Sequence, residues 1–291
     1  GYFRARSSVL CPVQTCSIIS PALLATFHTL RDTLAGGALP PTLREIEAFV
    51  DTGDKGLLLN VTCTSLPRSS EPLLKTFSDI LPAAKSILLQ DAAGERMSLF
   101  GPGFLQCEVL QKSFRVGHLS FFQVNRFLVD EMATTVRDLA GAAELAFDLY
   151  AGVGLFAAML ADQFSHVLAV EAHPAAARDL EHTTLSSRAK ITVQNKSAGA
   201  FLRTWKQGRG SRTPDCFVVD PPRAGLEDGV AERLAACKPR RIIYVSCDPS
   251  TLARDLAKLC SNEYTLRDIH LFDMFPQTYH IECVVLLERT R

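Results

Sequence analysis

The sequence carries no net charge: 31 lysines and arginines balance 31 aspartates and glutamates. Without a global field, electrostatics alone announce no nucleic-acid partner. No apolar run approaches membrane-spanning length and no signal peptide is visible, so no membrane partner and a cytoplasmic location are expected. The nine cysteines lack regular spacing over 291 residues and do not suggest a disulfide framework. There is no internal repeat and no low-complexity segment. An initiating methionine is missing too, and Gly1-Tyr2-Phe3-Arg4 reads as mid-protein sequence, so a piece of a longer chain is expected. What is present is ordinary globular material, 47% hydrophobic and 21% charged, with length for about two domains.

Residues 1–119 read as a small α+β domain. Leu23, Leu24, Phe27, Leu30 and Leu34 recur at helical spacing before Gly36-Gly37. Glu45–Val50 and Gly56–Cys63 flank a hairpin signal at Asp51-Thr52-Gly53-Asp54. A short helix at Lys75–Leu81 and strands at Ser86–Gln90, Met97–Phe100, Leu105–Leu110 and Phe114–Val116 follow. Residues 120–291 read differently. After an amphipathic helix from about Arg126, with Phe127, Val129, Met132, Val136 and Leu139 on its apolar side, strands and helices alternate. Strands are expected at Ala146–Tyr150, His166–Glu171, Lys190–Gln194, Cys216–Asp220, Arg241–Cys247 and Ile281–Arg289, with helices at Leu155–Phe164 and Ala175–Thr184. That alternation predicts a doubly wound, Rossmann-like α/β domain whose last strand could be an antiparallel insertion. The basic run Lys206–Arg212 reads as a solvated loop that could touch phosphate.

Ligands of such sheets bind beyond the carboxyl ends of the strands. Asp148-Leu149-Tyr150-Ala151-Gly152-Val153-Gly154 occupies the first strand end, and Gly152, Gly154 and Ala157 satisfy G-x-G-x-x-A. Glu171, 19 residues beyond Gly152, ends the next strand, where a carboxylate can accept ribose hydroxyls. These features suit a nicotinamide dinucleotide or S-adenosylmethionine equally. Three further strand ends separate the two. Asp220-Pro221-Pro222-Arg223 follows one strand. Cys247 follows the next, ahead of a helix capped by Asp248 with Pro249 at its first position, a place where a helix dipole favours a thiolate. Glu282 stands at the start of the last strand and shares their edge if that strand is antiparallel. Hydride transfer needs no such cysteine–carboxylate pair, whereas methylation of a pyrimidine at C5 does. A thiolate added at C6 makes C5 nucleophilic, and a base must then remove the C5 proton. Cys247 suits the first task and Glu282 the second. Asp220 can hold the pyrimidine edge or the amine of the cofactor.

Five runs resemble the RNA 5-methyluridine (uracil-C5) methyltransferases, most nearly the bacterial 23S rRNA members. They are Ser120-Phe121-Phe122-Gln123-Val124-Asn125, the Asp148–Gly154 loop, Asp220–Leu226, Tyr244–Leu256 and Asp273–Glu282. The resemblance covers residues 120–289 and implies an S-adenosylmethionine-dependent methyltransferase domain. It implies Cys247 as nucleophile, Glu282 as proton acceptor, and cofactor contacts from Gln123, Tyr150, Glu171 and Asp220 beside Gly152 and Gly154. Leu155 and Asp248 depart from the asparagines usual in the family. Cys16, in Cys16-Ser17-Ile18-Ile19-Ser20-Pro21, resembles the last ligand of a 4Fe-4S cluster whose other three cysteines would lie upstream of Gly1. No metal site within this chain is therefore expected. The resemblance implies an RNA substrate, ribosomal in preference to transfer RNA, and a monomer is expected. An NAD-dependent oxidoreductase, a cytosine-C5 enzyme and a non-catalytic RNA-binding module are the competing readings.

Overall fold

The structure, a computed structural model, describes every residue except 1, 5, 6, 186–189, 206–212, 262 and 291. The basic run Lys206–Arg212 therefore lies outside the described residues. The chain divides into two compact units, Gly1–Leu105 and Gln106–Arg291.

The first unit opens with two short antiparallel strands, β1 (Tyr2–Phe3) and β2 (Leu10–Cys11). Helix α1 (Pro21–Ala35) follows, started by Pro21 and by the Ser20 hydroxyl, which accepts from the Leu23 N–H at 3.1 Å. Strands β3 (Leu43–Val50) and β4 (Leu57–Cys63) form the expected antiparallel hairpin. Helix α2 (Glu71–Ile80) then crosses over to β5 (Ala84–Asp91), which runs parallel to β4, and β6 (Met97–Phe100) closes a four-stranded sheet. The two inner strands are the apolar ones, and Leu57, Leu59, Val61, Ile87 and Leu89 pack with Phe77 in this unit's core. Strand β7 (Phe104–Val109) carries the chain across the division and pairs with β8 (Lys112–Gly117). The α+β boundary expected at residue 119 thus falls beyond this hairpin.

The second unit continues through α3 (Val129–Ala140), β9 (Ala143–Leu149), α4 (Leu155–Leu160), β10 (Phe164–Glu171), α5 (Pro174–Thr184), β11 (Lys190–Asn195) and α6 (Ala198–Thr204). It ends with β12 (Cys216–Val219), α7 (Val230–Ala236), β13 (Arg241–Ser246), α8 (Pro249–Cys260), β14 (Tyr264–Phe272) and β15 (Glu282–Arg289). The sheet order is β11-β10-β9-β12-β13-β15-β14. The first five strands are mutually parallel, and β15 runs antiparallel to both neighbours. This is the doubly wound Rossmann-like arrangement, and the strand order reverses between β9 and β12.

Three local expectations change. Helix α3 starts at Val129 and not near Arg126, because the Asn125 side chain accepts from the Phe127 N–H at 3.1 Å and holds residues 125–128 in a turn. Phe127 consequently leaves the apolar side and is 78% exposed. Helix α4 stops at Leu160, four residues short, because the chain must turn to begin β10 at Phe164. Strand β14 is additional, so β15 follows an antiparallel partner across a nine-residue loop, 273–281.

One face of the sheet is packed by Phe147, Leu149, Phe217, Val219, Tyr244 and Val285. Phe147 meets Trp205 and Phe217 edge-on, both at 4.8 Å between centroids. Each such side chain contributes about 1.5–3 kcal/mol by burial. Asp255 of α8 is buried among them, accepting from the Tyr244 hydroxyl at 2.7 Å and the Leu226 N–H at 2.8 Å while pairing with Arg254 at 2.9 Å. It ties the Asp220–Leu226 loop to β13. Asp255→Ala strands two buried donors and is expected to cost about 3 kcal/mol, read from the urea midpoint; an unchanged midpoint would show that water replaces the carboxylate.

Candidate active site

Pairing register brings the strand ends of the second unit into one row. Val219 lies opposite both Leu149 and Tyr244, and Val170 lies opposite Leu149. Ser246 lies opposite Cys283, so the next step along the antiparallel pair sets Cys247 against Glu282. Alternation then sorts the faces. Leu149, Val219, Tyr244 and Cys283 point into the aromatic core, which turns Asp148, Asp220, Cys247 and Glu282 to the opposite face at the same edge.

The loop after β9 is built on left-handed backbone. Tyr150 has φ +65°, Gly152 +55° and Gly154 +94°. At Gly154 a Cβ would stand 2.5 Å from Leu180 Cδ1, so only glycine fits. Around Gly152 nothing lies within 4 Å of the position a Cβ would take, which leaves the backbone open to a ligand. Glu171 secures this turn from β10: Oε2 accepts from the Gly152 N–H at 2.8 Å and Oε1 from the His173 N–H at 2.6 Å. Each oxygen keeps a lone pair for a further donor. Asn195, at the end of β11, donates to the Glu171 and Ala172 carbonyls at 2.8 and 3.1 Å. Tyr150 packs its ring against the core, and burial pushes its hydroxyl pKa up.

Gln123 is buried in the segment between β8 and α3. Asp179 of α5 anchors the entry to that segment, accepting from the Gly117 N–H at 2.8 Å and the Ser120 hydroxyl at 2.6 Å and pairing with Arg115 at 2.8 Å. Its exit is held by Asn125, whose Nδ2 donates to the carbonyls of Asp273 and Met274 at 3.4 and 3.2 Å.

Cys247 is half-buried between β13 and α8. Asp248 caps that helix as expected, accepting from the Ser250 and Thr251 N–H groups at 2.9 Å each. The thiolate expected from the helix dipole is not favoured at rest. Burial raises the thiol pKa, the Glu282 and Asp220 charges raise it further, and a hydrogen bond from Arg223 opposes them. Glu282 is buried, and burial lifts its carboxyl to about 7. Asp220 is raised well above the usual carboxylate range by burial, then by the Glu282 and Asp148 charges. Burial likewise pushes Asp148 up to about 8, opposed by the Ala157 backbone and helped by Glu171. The edge therefore holds four carboxyl groups and a thiol beside one guanidinium. Glu282 and Asp148 can exchange protons near neutrality.

Sequence reasoning assigned no role to Asp148, Arg223 or Asp179. The first two lie inside quoted motifs, and strand alternation marks Asp148 as turned away from the core; nothing local marks Asp179. Cys16 lies in the first unit, between β2 and α1. Among the described residues no group of three or more His, Cys, Asp or Glu side chains could hold a metal ion, and no helix is long and apolar enough to cross a membrane.

The sequence profile described as tRNA (uracil-5-)-methyltransferase matches residues 104–290. An uncharacterized RNA methyltransferase of Aquifex aeolicus is 37% identical over 295 residues, covering 99% of this chain and 67% of that protein. Another, from Streptomyces avermitilis, is 31% identical over 294 residues, covering 99% and 64%. The chain thus spans about two thirds of the length of these curated relatives. Among solved structures, the tRNA (uracil-54, C5)-methyltransferase of Pyrococcus abyssi, in complex with S-adenosyl-L-homocysteine, superposes with a TM-score of 0.77 at 22% identity, covering 98% of this chain and 72% of that one. The M. jannaschii tRNA m1G37 methyltransferase superposes at 0.56 and 12% identity, covering 92% and 79%. With its profile match across the Rossmann-like unit and its relatives above 30% identity, the chain belongs to the tRNA (uracil-5-)-methyltransferase family of RNA methyltransferases.

Proposed function

We propose that this protein methylates C5 of a uridine in structured RNA, using S-adenosylmethionine and a covalent Cys247–uracil C6 adduct. The observation that carries this reading is the pairing register that sets a thiol, Cys247, against a carboxyl group, Glu282, with its pKa at about 7. The neighbouring strand ends suit the cofactor: open backbone at Gly152, the spare lone pairs of Glu171 for ribose hydroxyls, and Tyr150 and Asp220 after β9 and β12, with Gln123 in the segment before α3 as a further contact. When bound, S-adenosylmethionine supplies a methyl group on a positively charged sulfur.

The chain's own residues perform the remaining work. Cys247 gives its proton to water, helped by Arg223, and its sulfur bonds to C6 while the ring electrons move to an enolate. Asp220, pushed toward its neutral form, donates a hydrogen bond to the pyrimidine edge. Once C5 carries the methyl group, Glu282 takes the C5 proton. The electrons of that C–H bond rebuild the C5–C6 double bond and the C6–S bond breaks, returning the thiolate. A 4Fe-4S cluster does not fit the described residues, since it needs four thiolates and Cys16 has no such company.

Ribosomal RNA is the favoured substrate, supported by the Phe121–Asn125 run and by Cys16. Transfer RNA is the second reading, supported by the Pyrococcus neighbour. The test is transfer of labelled methyl from S-adenosylmethionine to total RNA, with the product nucleoside identified and the label assigned to size-separated RNA. Label in cytosine, or none, would overturn the reading; label confined to transfer RNA would overturn the ribosomal choice. Glu171→Ala is expected to weaken S-adenosylmethionine binding by about 1–3 kcal/mol in calorimetry, and unaltered binding would remove Glu171 from the cofactor site.

A further inference from the structure

Among the exposed aromatic side chains of the second unit, Phe127 and Tyr279 stand on segments that Asn125 joins to the loop before Glu282, and the mechanism uses neither. Phe127, before α3, is 78% exposed, with the Arg126 guanidinium 5.0 Å from its ring centroid. Tyr279, in the loop before β15, is 90% exposed. Both sit on held backbone. Asn125 joins the two loops, since it accepts from the Phe127 N–H and donates to the carbonyls of Asp273 and Met274. The Tyr279 ring lies 4.2 Å from that of His280, whose far neighbour is Phe275 at 5.9 Å. His280 Nε2 in turn lies 3.3 Å from the Arg223 guanidinium that bonds the Cys247 thiol. These contacts lead from Tyr279 to Arg223, whose charge acts on the nucleophile.

We propose that Phe127 and Tyr279 form a stacking surface for the unpaired nucleotides that flank the methylated uridine. This rests on the uridine-methylation reading above and adds to it that the flanking bases are splayed out of their helix. Base faces are hidden within a duplex, so ring-on-base contact selects unpaired RNA. An aromatic ring with an arginine beside it provides a π-face and a cation for any base. The balanced charge of the chain makes such contact the more important, because little attraction to phosphate is available at a distance.

The test uses the full chain and a labelled single-stranded oligouridylate of about ten nucleotides, followed by anisotropy at several salt concentrations. Phe127→Ala and Tyr279→Ala are each expected to weaken binding about ten-fold, with the salt slope of the parent protein, because no phosphate contact is lost. Phe127→Trp and Tyr279→Phe retain binding. Parent-level affinity in both alanine variants, or in Phe127→Leu and Tyr279→Leu, overturns the stacking surface. So does no binding by the parent protein, or sedimentation showing that the parent self-associates and the variants do not. Methyl incorporation into total RNA is measured alongside. If the parent protein fails there, the methylation reading falls; if it succeeds while the variants bind normally, only the stacking surface falls.

Discussion

Replacing Glu282 with glutamine is expected to trap the protein on its RNA. The amide keeps the shape at the start of β15 but accepts no proton, so sulfur addition and methyl transfer proceed while elimination stalls. A complex should survive denaturing electrophoresis and carry label from the methyl donor. The wild-type protein should approach the same state as the pH falls. Burial raises the folded-state pKa of Glu282 to about 7. The proton-accepting carboxylate is therefore the major form above that pH and falls about ten-fold per unit below it. Adduct lifetime should lengthen below pH 7 in the wild type and stay flat in Glu282→Gln. A glutamine variant that releases product at the normal rate would show that another group takes the proton, and Asp220 would be the first to examine.

Cys247→Ala gives the opposite outcome: no covalent complex and no methylated uridine, with turnover lower by at least about 10⁴-fold. Cofactor binding should persist, because the Gly152 turn and Glu171 are held by β9 and β10 and do not depend on the thiol. Calorimetry with S-adenosylmethionine and gel analysis on one protein preparation separate the two. Residual adduct in the alanine variant would move the nucleophile elsewhere, and loss of cofactor binding would show that Cys247 supports the pocket.

Much of the second unit is legible because parallel strands are buried on both faces and therefore read as apolar runs, as in Ile242–Val245 and Cys216–Val219. Strand β14 is not legible for the complementary reason. It lies at the sheet edge, where Leu266, Arg267, Asp268 and Ile269 are exposed and a bulge between Leu266 and Asp268 breaks the alternation. The Asx turn at Asn125 defeats helical spacing in a similar way, since a local side-chain bond outweighs the periodicity that drew Phe127 into α3. At the site, residue types and their strand ends are visible in sequence, and the cap at Asp248 follows from its neighbours. The protonation of Cys247 is not visible. The helix dipole that favours a thiolate is local, but Glu282 and Asp220 arrive from strands far along the chain and push the other way.

The antiparallel entry of β15 has a consequence for how the site tolerates change. Along this strand Glu282 is followed at once by Cys283, which points into the aromatic core. A slip of one position against β13 would exchange the two, exposing sulfur where the carboxyl group now stands and turning the acid to the core face that Tyr244 occupies. Two thiols would then face each other, open to oxidation. Changes in length are thus expected to be harmless in the loop 273–281 only while Ser246 stays opposite Cys283. The ladders to β13 on one side and β14 on the other hold β15 in that alignment, so the sequence of this protein is expected to be freer in its loops than in the eight residues of its last strand.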